Sequence, residues 1–193
     1  MGYHRAGFEV VGVDIKPQPH FPFEFHQADA LTYPLDGFDA YHASPPCQLW
    51  AQGFNQYRDT YPDLIKPIRE RLEASKKPYV IENVPRSPLR QDLVICGCQL
   101  GLKHIRRKRV FEMNFPPPNG LSKEHNHSYM SISVTGTGTP TGTWKAWGRP
   151  LKLYEFRDAM GIEWMARKEL SEAIPPAYTE YIGGYLMEAL EPP

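Results

Sequence analysis

The residues able to do chemistry stand where apolar runs stop. Cys47 follows Pro45 and Pro46 after such a run. A thiol in that place is either a buried structural cysteine or a nucleophile. Two prolines fix the backbone immediately before it, which suits a nucleophile held in one orientation. Glu82 closes another apolar run 35 residues on, beside Asn83. A strand-end Glu serves as a cap or ion-pair partner, or lends acid–base support to a covalent step. Asp14 ends the first apolar run and Asp29 follows the second. Arg106, Arg107, Lys108 and Arg109 close a stretch with five basic residues in seven, which reads as a solvated face or as phosphate contacts.

The elements that must carry these groups follow from hydrophobic periodicity. Short apolar runs at 8–15, 23–26, 38–43, 79–81, 93–96 and 110–113 predict strands. Residues 61–75 carry Leu64, Ile65, Ile68 and Leu72 at helical spacing, with Pro62 near the start. Helices are also predicted over 151–160 and over 176–190, the latter opening near Pro176. Strands alternating with helical patterns imply a parallel α/β sheet. Ligands of open α/β sheets bind outside the carboxyl ends of the strands. Asp14, Asp29, Cys47 and the Glu82–Asn83 pair all fall at such ends.

The chain has 193 residues, which suits one domain with a sizeable core. Lys+Arg and Asp+Glu both number 22, so global charge does not advertise a nucleic-acid partner, and only a local basic patch could serve one. The 20 prolines are about twice the usual share and imply many fixed turns. Three cysteines argue against a secreted disulfide framework. No signal-peptide core or membrane-length apolar run is present, so a reducing cytoplasmic setting is expected. Cys96 and Cys98 with His104, His125 and His127 do not follow the usual zinc-finger spacings; turn-associated thiols, with no metal, are the expectation. His125-Asn126-His127 is too short a match for an HNH nuclease motif.

Several blocks carry a resemblance. Ser44-Pro45-Pro46-Cys47-Gln48 resembles the Pro-Cys motif of the DNA (cytosine-5) methyltransferases. Ile81-Glu82-Asn83-Val84 resembles their Glu-Asn-Val motif, and Arg106-Arg107-Lys108-Arg109-Val110-Phe111 their arginine motif. Ile174-Pro175-Pro176-Ala177-Tyr178 resembles their last block, and residues 2–14 the segment following their first motif. The resemblance runs over nearly the whole chain. It implies a Rossmann-like S-adenosylmethionine-dependent methyltransferase sheet, N-terminally truncated because the family's glycine loop is not in the sequence. The Gln and Asn of the family's arginine and final motifs are replaced by Ile105 and Glu172.

The resemblance also implies roles. Cys47 attacks cytosine C6, which makes C5 nucleophilic. Glu82 holds the N3 side and shares its proton, with a raised pKa. Arg107 and Arg109 contact the cytosine carbonyl region and orient Cys47 and Glu82. Asn83 and Pro46 order the Cys47 loop. Asp14 and Ile15 bind the ribose side of S-adenosylmethionine, Asp29 and Ala30 the adenine, and Pro45 the methionine end. Arg106 and Lys108 face DNA phosphate or solvent, and the target base is flipped out of the duplex. The expected divisions are a core over 1–113, a loop-rich target-recognition segment over 114–150 where Trp144 and Trp147 stack or pack, and helices over 151–193 that complete the core. Two other readings remain: a catalytically weak or split DNA-binding subunit that needs a missing strand or partner, and a cytosine-5 RNA methyltransferase.

Overall fold

The computed structural model describes residues 1–51, 61–121, 124–135 and 141–191. A one-turn helix α1 (Gly2–Arg5) opens the chain and leads to strand β1 (Val11–Asp14), strand β2 (Glu24–Gln27) and strand β3 (Tyr41–Ala43). Helix α2 (Ile65–Ser75) precedes β4 (Tyr79–Asn83) and β5 (Leu93–Ile95). A 3-10 turn (Gly97–Leu100) leads to β6 (Arg109–Met113). Helices α3 (Thr141–Trp147), α4 (Leu153–Met160), α5 (Arg167–Glu172) and α6 (Pro176–Glu188) finish it.

The fold is mixed α/β, and the expectation of one parallel sheet needs correction. β1 and β2 form a two-stranded parallel sheet, while the other strands form a second sheet in the order β3-β4-β6-β5. β3 and β4 are parallel, but β6 runs antiparallel to both β4 and β5. The chain reverses between β5 and β6 through the 3-10 turn. Among the described residues β1 pairs only with β2, and β3 only with β4.

Local sequence explains most boundaries. Residues 8–10 were expected in the first strand, yet pairing begins at Val11, and Phe8 packs into the core instead. α2 starts at Ile65, later than Pro62, because the Asp63 side chain accepts from the Ile65 N–H at 3.1 Å and fixes the first turn there. Lys76 ends it in the left-handed conformation, with φ of 56°. Pro176 opens α6, where its missing N–H costs nothing. α1, α3 and α5 were not foreseen, since each is too short to show a hydrophobic period.

Three clusters make up the core. α6 lays Tyr178, Ile182 and Leu186 on the face of the larger sheet that carries Val80, Phe111 and Met113. α2 covers the opposite face, where Tyr79, Ile81 and Val110 meet Ile65, Ile68 and Leu72. Each such buried aliphatic side chain contributes about 1.5–3 kcal/mol. The third cluster joins Ile105, Ile132 and Val134 to α4 and α5 through Phe156, Met160 and Leu170. The 114–150 segment is therefore not all loop. It carries α3, sends Ile132 and Val134 into a core, and packs Trp147 there while Trp144 stays 53% exposed. Part of its threonine–glycine run, 136–140, lies outside the described residues.

Candidate active site

β4 carries Glu82 and Asn83 at its carboxyl end. Opposed residues on an antiparallel ladder point to the same face, and faces alternate along each strand. Glu82 lies opposite Phe111, so Glu82, Phe111 and Arg109 share the face covered by α6. Arg107 precedes Arg109 by two residues and falls on the same side. The burial of 105–110 alternates accordingly: Arg106 and Lys108 are exposed, Arg107 and Arg109 half-buried.

Glu82 is 6% exposed. Arg109 Nε stands 2.8 Å from its Oε1. The contact is a close ion pair between the guanidinium and the carboxyl. Burial pushes the Glu82 carboxyl above its ordinary range, while Arg109, the Ser44 hydroxyl and Arg107 pull the other way without cancelling it. The result is a buried carboxyl whose pKa lies above the ordinary carboxylate range and whose Oε1 faces the Arg109 guanidinium.

The loop after β3 carries Cys47. Asn83 Nδ2 donates to the Pro45 carbonyl at 3.0 Å, a buried bond that holds this loop against β4. Pro45 is buried and Pro46 exposed. After Cys47 the chain turns, and the Cys47 carbonyl accepts from the N–H groups of Trp50 and Ala51 at 3.0 and 2.8 Å. The thiol is free and half-buried. Burial pushes it above its ordinary pKa. Arg109 is the strongest influence pulling it down, Glu82 pushes it up, and Arg107 pulls it down. Cys47, Glu82, Arg107 and Arg109 thus act on one another electrostatically.

Arg107 is fastened to backbone. Its Nη1 donates to Val134 O at 2.8 Å and its Nη2 to Ser171 O at 2.6 Å, while Tyr178 donates to the Arg107 carbonyl at 2.8 Å. Burial, then the charge of Arg109, lowers its pKa to about 10. Its Nε is buried without a partner. Arg106 is committed elsewhere: Nη2 donates to His127 O at 2.9 Å and Tyr129 O at 3.3 Å.

Sequence reasoning missed a hydrogen-bonded relay behind Glu82. Tyr3 Oη is 2.8 Å from His42 Nδ1, and His42 Nε2 is 2.9 Å from Ser44 Oγ. Burial lowers the His42 pKa to about 4, so the ring is neutral. Ser44 donates to the Glu82 carboxylate and hence accepts from His42 Nε2–H, which leaves Nδ1 to accept from Tyr3. The alternation of 41–43 in a short strand was the only available signal.

The groups expected to hold a nucleoside sit at the ends of β1 and β2. Asp14 Oδ1 accepts from Lys16 N at 2.8 Å and Oδ2 from Gln18 Nε2 at 3.0 Å, so each oxygen keeps a free lone pair. Ile15 is 66% exposed, an apolar side chain beside a carboxylate. Asp29 and Ala30 are exposed; Asp29 Oδ1 caps its own turn by accepting from Leu31 N at 2.8 Å. These groups offer hydrogen-bond acceptors and apolar surface at the ends of β1 and β2. Comparison of the chain with protein-family models and with curated proteins finds no match. Among the described residues no helix is long and apolar enough to cross a membrane.

Proposed function

We propose that the protein is a Rossmann-like, S-adenosylmethionine-dependent DNA (cytosine-5) methyltransferase that works through a covalent Cys47–C6 adduct on a flipped cytosine. The observation that carries this reading is the Glu82 carboxyl. It is buried, its pKa is raised, its Oε1 faces the Arg109 guanidinium, and it is electrostatically coupled to the Cys47 thiol. A proton held there can be given to cytosine N3 while a thiolate adds at C6, and the ring then becomes electron-rich at C5.

Arg109 balances the two groups. Its charge favours the Cys47 thiolate and keeps the Glu82 proton transferable. Arg107 adds a weaker positive field and pins the strand entry. Asn83 fixes the Cys47 loop. When bound, S-adenosylmethionine would supply the electrophilic methyl group that C5 accepts. Asp14, with Ile15, would hold its ribose side, Asp29 and Ala30 its adenine, and Pro45 would face its methionine end. Release of the C5 proton to solvent and return of the N3 proton to Glu82 then let Cys47 leave C6 as thiolate, which restores the enzyme.

The test is adduct formation on duplex DNA carrying 5-fluorocytosine, where the last step is blocked because C5 has no proton to lose. The wild-type chain with S-adenosylmethionine forms an adduct that survives denaturation, and Cys47→Ser forms none. An adduct on the Ser variant would remove Cys47 from the role. An adduct that forms on 5-fluorocytosine in structured RNA and not in DNA would move the substrate to RNA.

A further inference from the structure

The fold gathers two cysteines and two histidines that the sequence keeps apart. Cys96 follows β5 and caps the 3-10 turn, and Cys98 lies in that turn; His125 and His127 lie in an exposed, irregular stretch of the 114–150 segment. Cys96 Sγ and Cys98 Sγ are 3.4 Å apart. Cys98 Sγ is 3.4 Å from His125 Nδ1, and Cys96 Sγ is 3.4 Å from His127 Nε2. All four atoms lie within 4.8 Å of one another. The expectation of scattered histidines and merely turn-associated thiols does not describe this arrangement.

We propose that Cys96, Cys98, His125 and His127 form a closed, tetrahedral site for a zinc-type divalent cation. Zinc bonds of about 2.3 Å to sulfur and about 2.0 Å to nitrogen place tetrahedral ligand atoms roughly 3.4–3.8 Å apart. The two sulfur–nitrogen distances fall at that spacing, and the sulfurs stand slightly closer than it. The sulfurs are too far apart for a disulfide, whose bond is about 2.05 Å, and both thiols are free. Thiolate with imidazole selects zinc over magnesium or calcium, which want oxygen. Four protein ligands leave no open position, so the site is structural.

Charge balances. On binding, each thiol releases its proton to solvent, and two thiolates with two neutral imidazoles offset the 2+ ion. A neutral complex suits a site whose charged neighbours, Arg106 and Lys108, are positive. The Arg106 carbonyl, which accepts from the Cys96 thiol at 2.9 Å, gives up that donor.

The surroundings are built for close approach. A Cβ at Gly97, between the two cysteines, would stand 2.2 Å from the Ile105 carbonyl oxygen, so only glycine lets the turn pack there. Gln99 Oε1 accepts from the Cys96 N–H at 2.8 Å and holds the turn. Asn126 Oδ1 accepts from Ser128 N and Oγ at 3.1 and 2.6 Å, folding the chain so that His125 and His127 face the thiols. Arg106 clamps the same stretch through the His127 and Tyr129 carbonyls. The ion would therefore fasten residues 125–129 to the turn that leads into Arg106, Arg107 and Arg109.

The experiment uses the full chain, reduced and stripped by a chelator. Cobalt(II) is titrated in and then displaced by zinc(II). One equivalent of cobalt should give the strong visible absorption of a tetrahedral sulfur–nitrogen site, zinc should bleach it, and zinc should raise the melting temperature. Cys98→Ser and His125→Ala, at partly exposed and exposed positions, should keep the far-ultraviolet dichroism and bind at least about tenfold more weakly. Cys47→Ser should bind as the wild type does. Failure to take up one equivalent, a weak octahedral cobalt spectrum, undiminished binding by both ligand variants, or loss of binding in Cys47→Ser would each overturn the proposal. None of these readouts depends on methyl transfer.

Discussion

Glu82 and Glu112 lie on adjacent rungs of the β4–β6 ladder, Glu82 opposite Phe111 and Glu112 opposite Ile81, and so point to opposite faces of the sheet. Both are buried. Glu112 takes Arg69 Nε and Nη2 at 2.6 and 2.8 Å and the Arg90 N–H at 2.9 Å. Burial works against its charge, but these donors hold its carboxyl below the ordinary range. Glu82 has one arginine and the Ser44 hydroxyl, and its pKa is raised. One carboxylate is a structural anchor, and the other is poised for proton exchange.

Substitution to Gln should separate the two by sign. A depressed pKa means that Glu112 stabilises the fold above its unfolded pKa and loses this as pH falls through the folded value. Glu112→Gln should therefore cost about 3 kcal/mol near neutrality, since it leaves Arg69 without its buried partner, and the deficit should shrink in acid. Glu82 has a raised pKa, so its contribution is full below the unfolded pKa and is lost as pH rises through the folded one. Glu82→Gln should hold or raise the melting temperature at pH 8 and abolish turnover. Denaturation curves across pH for both variants check this; a Glu82→Gln penalty as large as that of Glu112→Gln would contradict it.

The reactivity of Cys47 should report its neighbours. With its pKa raised, its alkylation rate should still be climbing above pH 9. Arg109→Ala removes the largest lowering influence and should shift the profile to higher pH; Glu82→Gln should shift it lower. Iodoacetamide labelling, read on the Cys47 peptide by mass spectrometry, tests both directions.

The basic stretch should divide by function. Arg109→Ala should cut turnover at least tenfold, about 1.4 kcal/mol, with little change in the salt dependence of DNA binding. Lys108→Ala should leave turnover near normal and, if it meets phosphate, reduce the salt slope by about one ion. Arg107→Ala should unfold the protein more easily, by about 2–4 kcal/mol, because it leaves two backbone carbonyls unpaired. Turnover, binding at several salt concentrations and chemical denaturation distinguish the three.

His42 should contribute pH dependence to stability. Its folded pKa of about 4 lies below the ordinary 6.5, so the unfolded chain binds more protons between those values. Stability from this group is full above about pH 6.5 and is lost as pH falls toward 4. His42→Gln should flatten that part of the stability profile. An unchanged slope between pH 4 and 6.5 would mean the ring already titrates normally in the folded protein.

What the sequence determined by itself is what local chemistry can encode. The apolar runs marked every strand, and the prolines and helical spacings marked α2, α4 and α6. Strand ends located Asp14, Asp29, Cys47 and Glu82, and alternation separated Arg107 and Arg109 from Arg106 and Lys108. Strand direction was beyond it, because an apolar run reads the same parallel or antiparallel, and nothing local marks β6 as running against its neighbours. The difference between Glu82 and Glu112 was equally invisible. Both are acids ending or interrupting apolar runs, and the placement of Arg69 and Arg90 on one face decides which has the lowered pKa. The Cys96–Cys98 and His125–His127 pairs make the same point. Their separation of 27 residues between Cys98 and His125 carries no periodic signal, and only the packing of Gly97 on Ile105 and the Arg106 clamp bring four ligand atoms within reach of one ion.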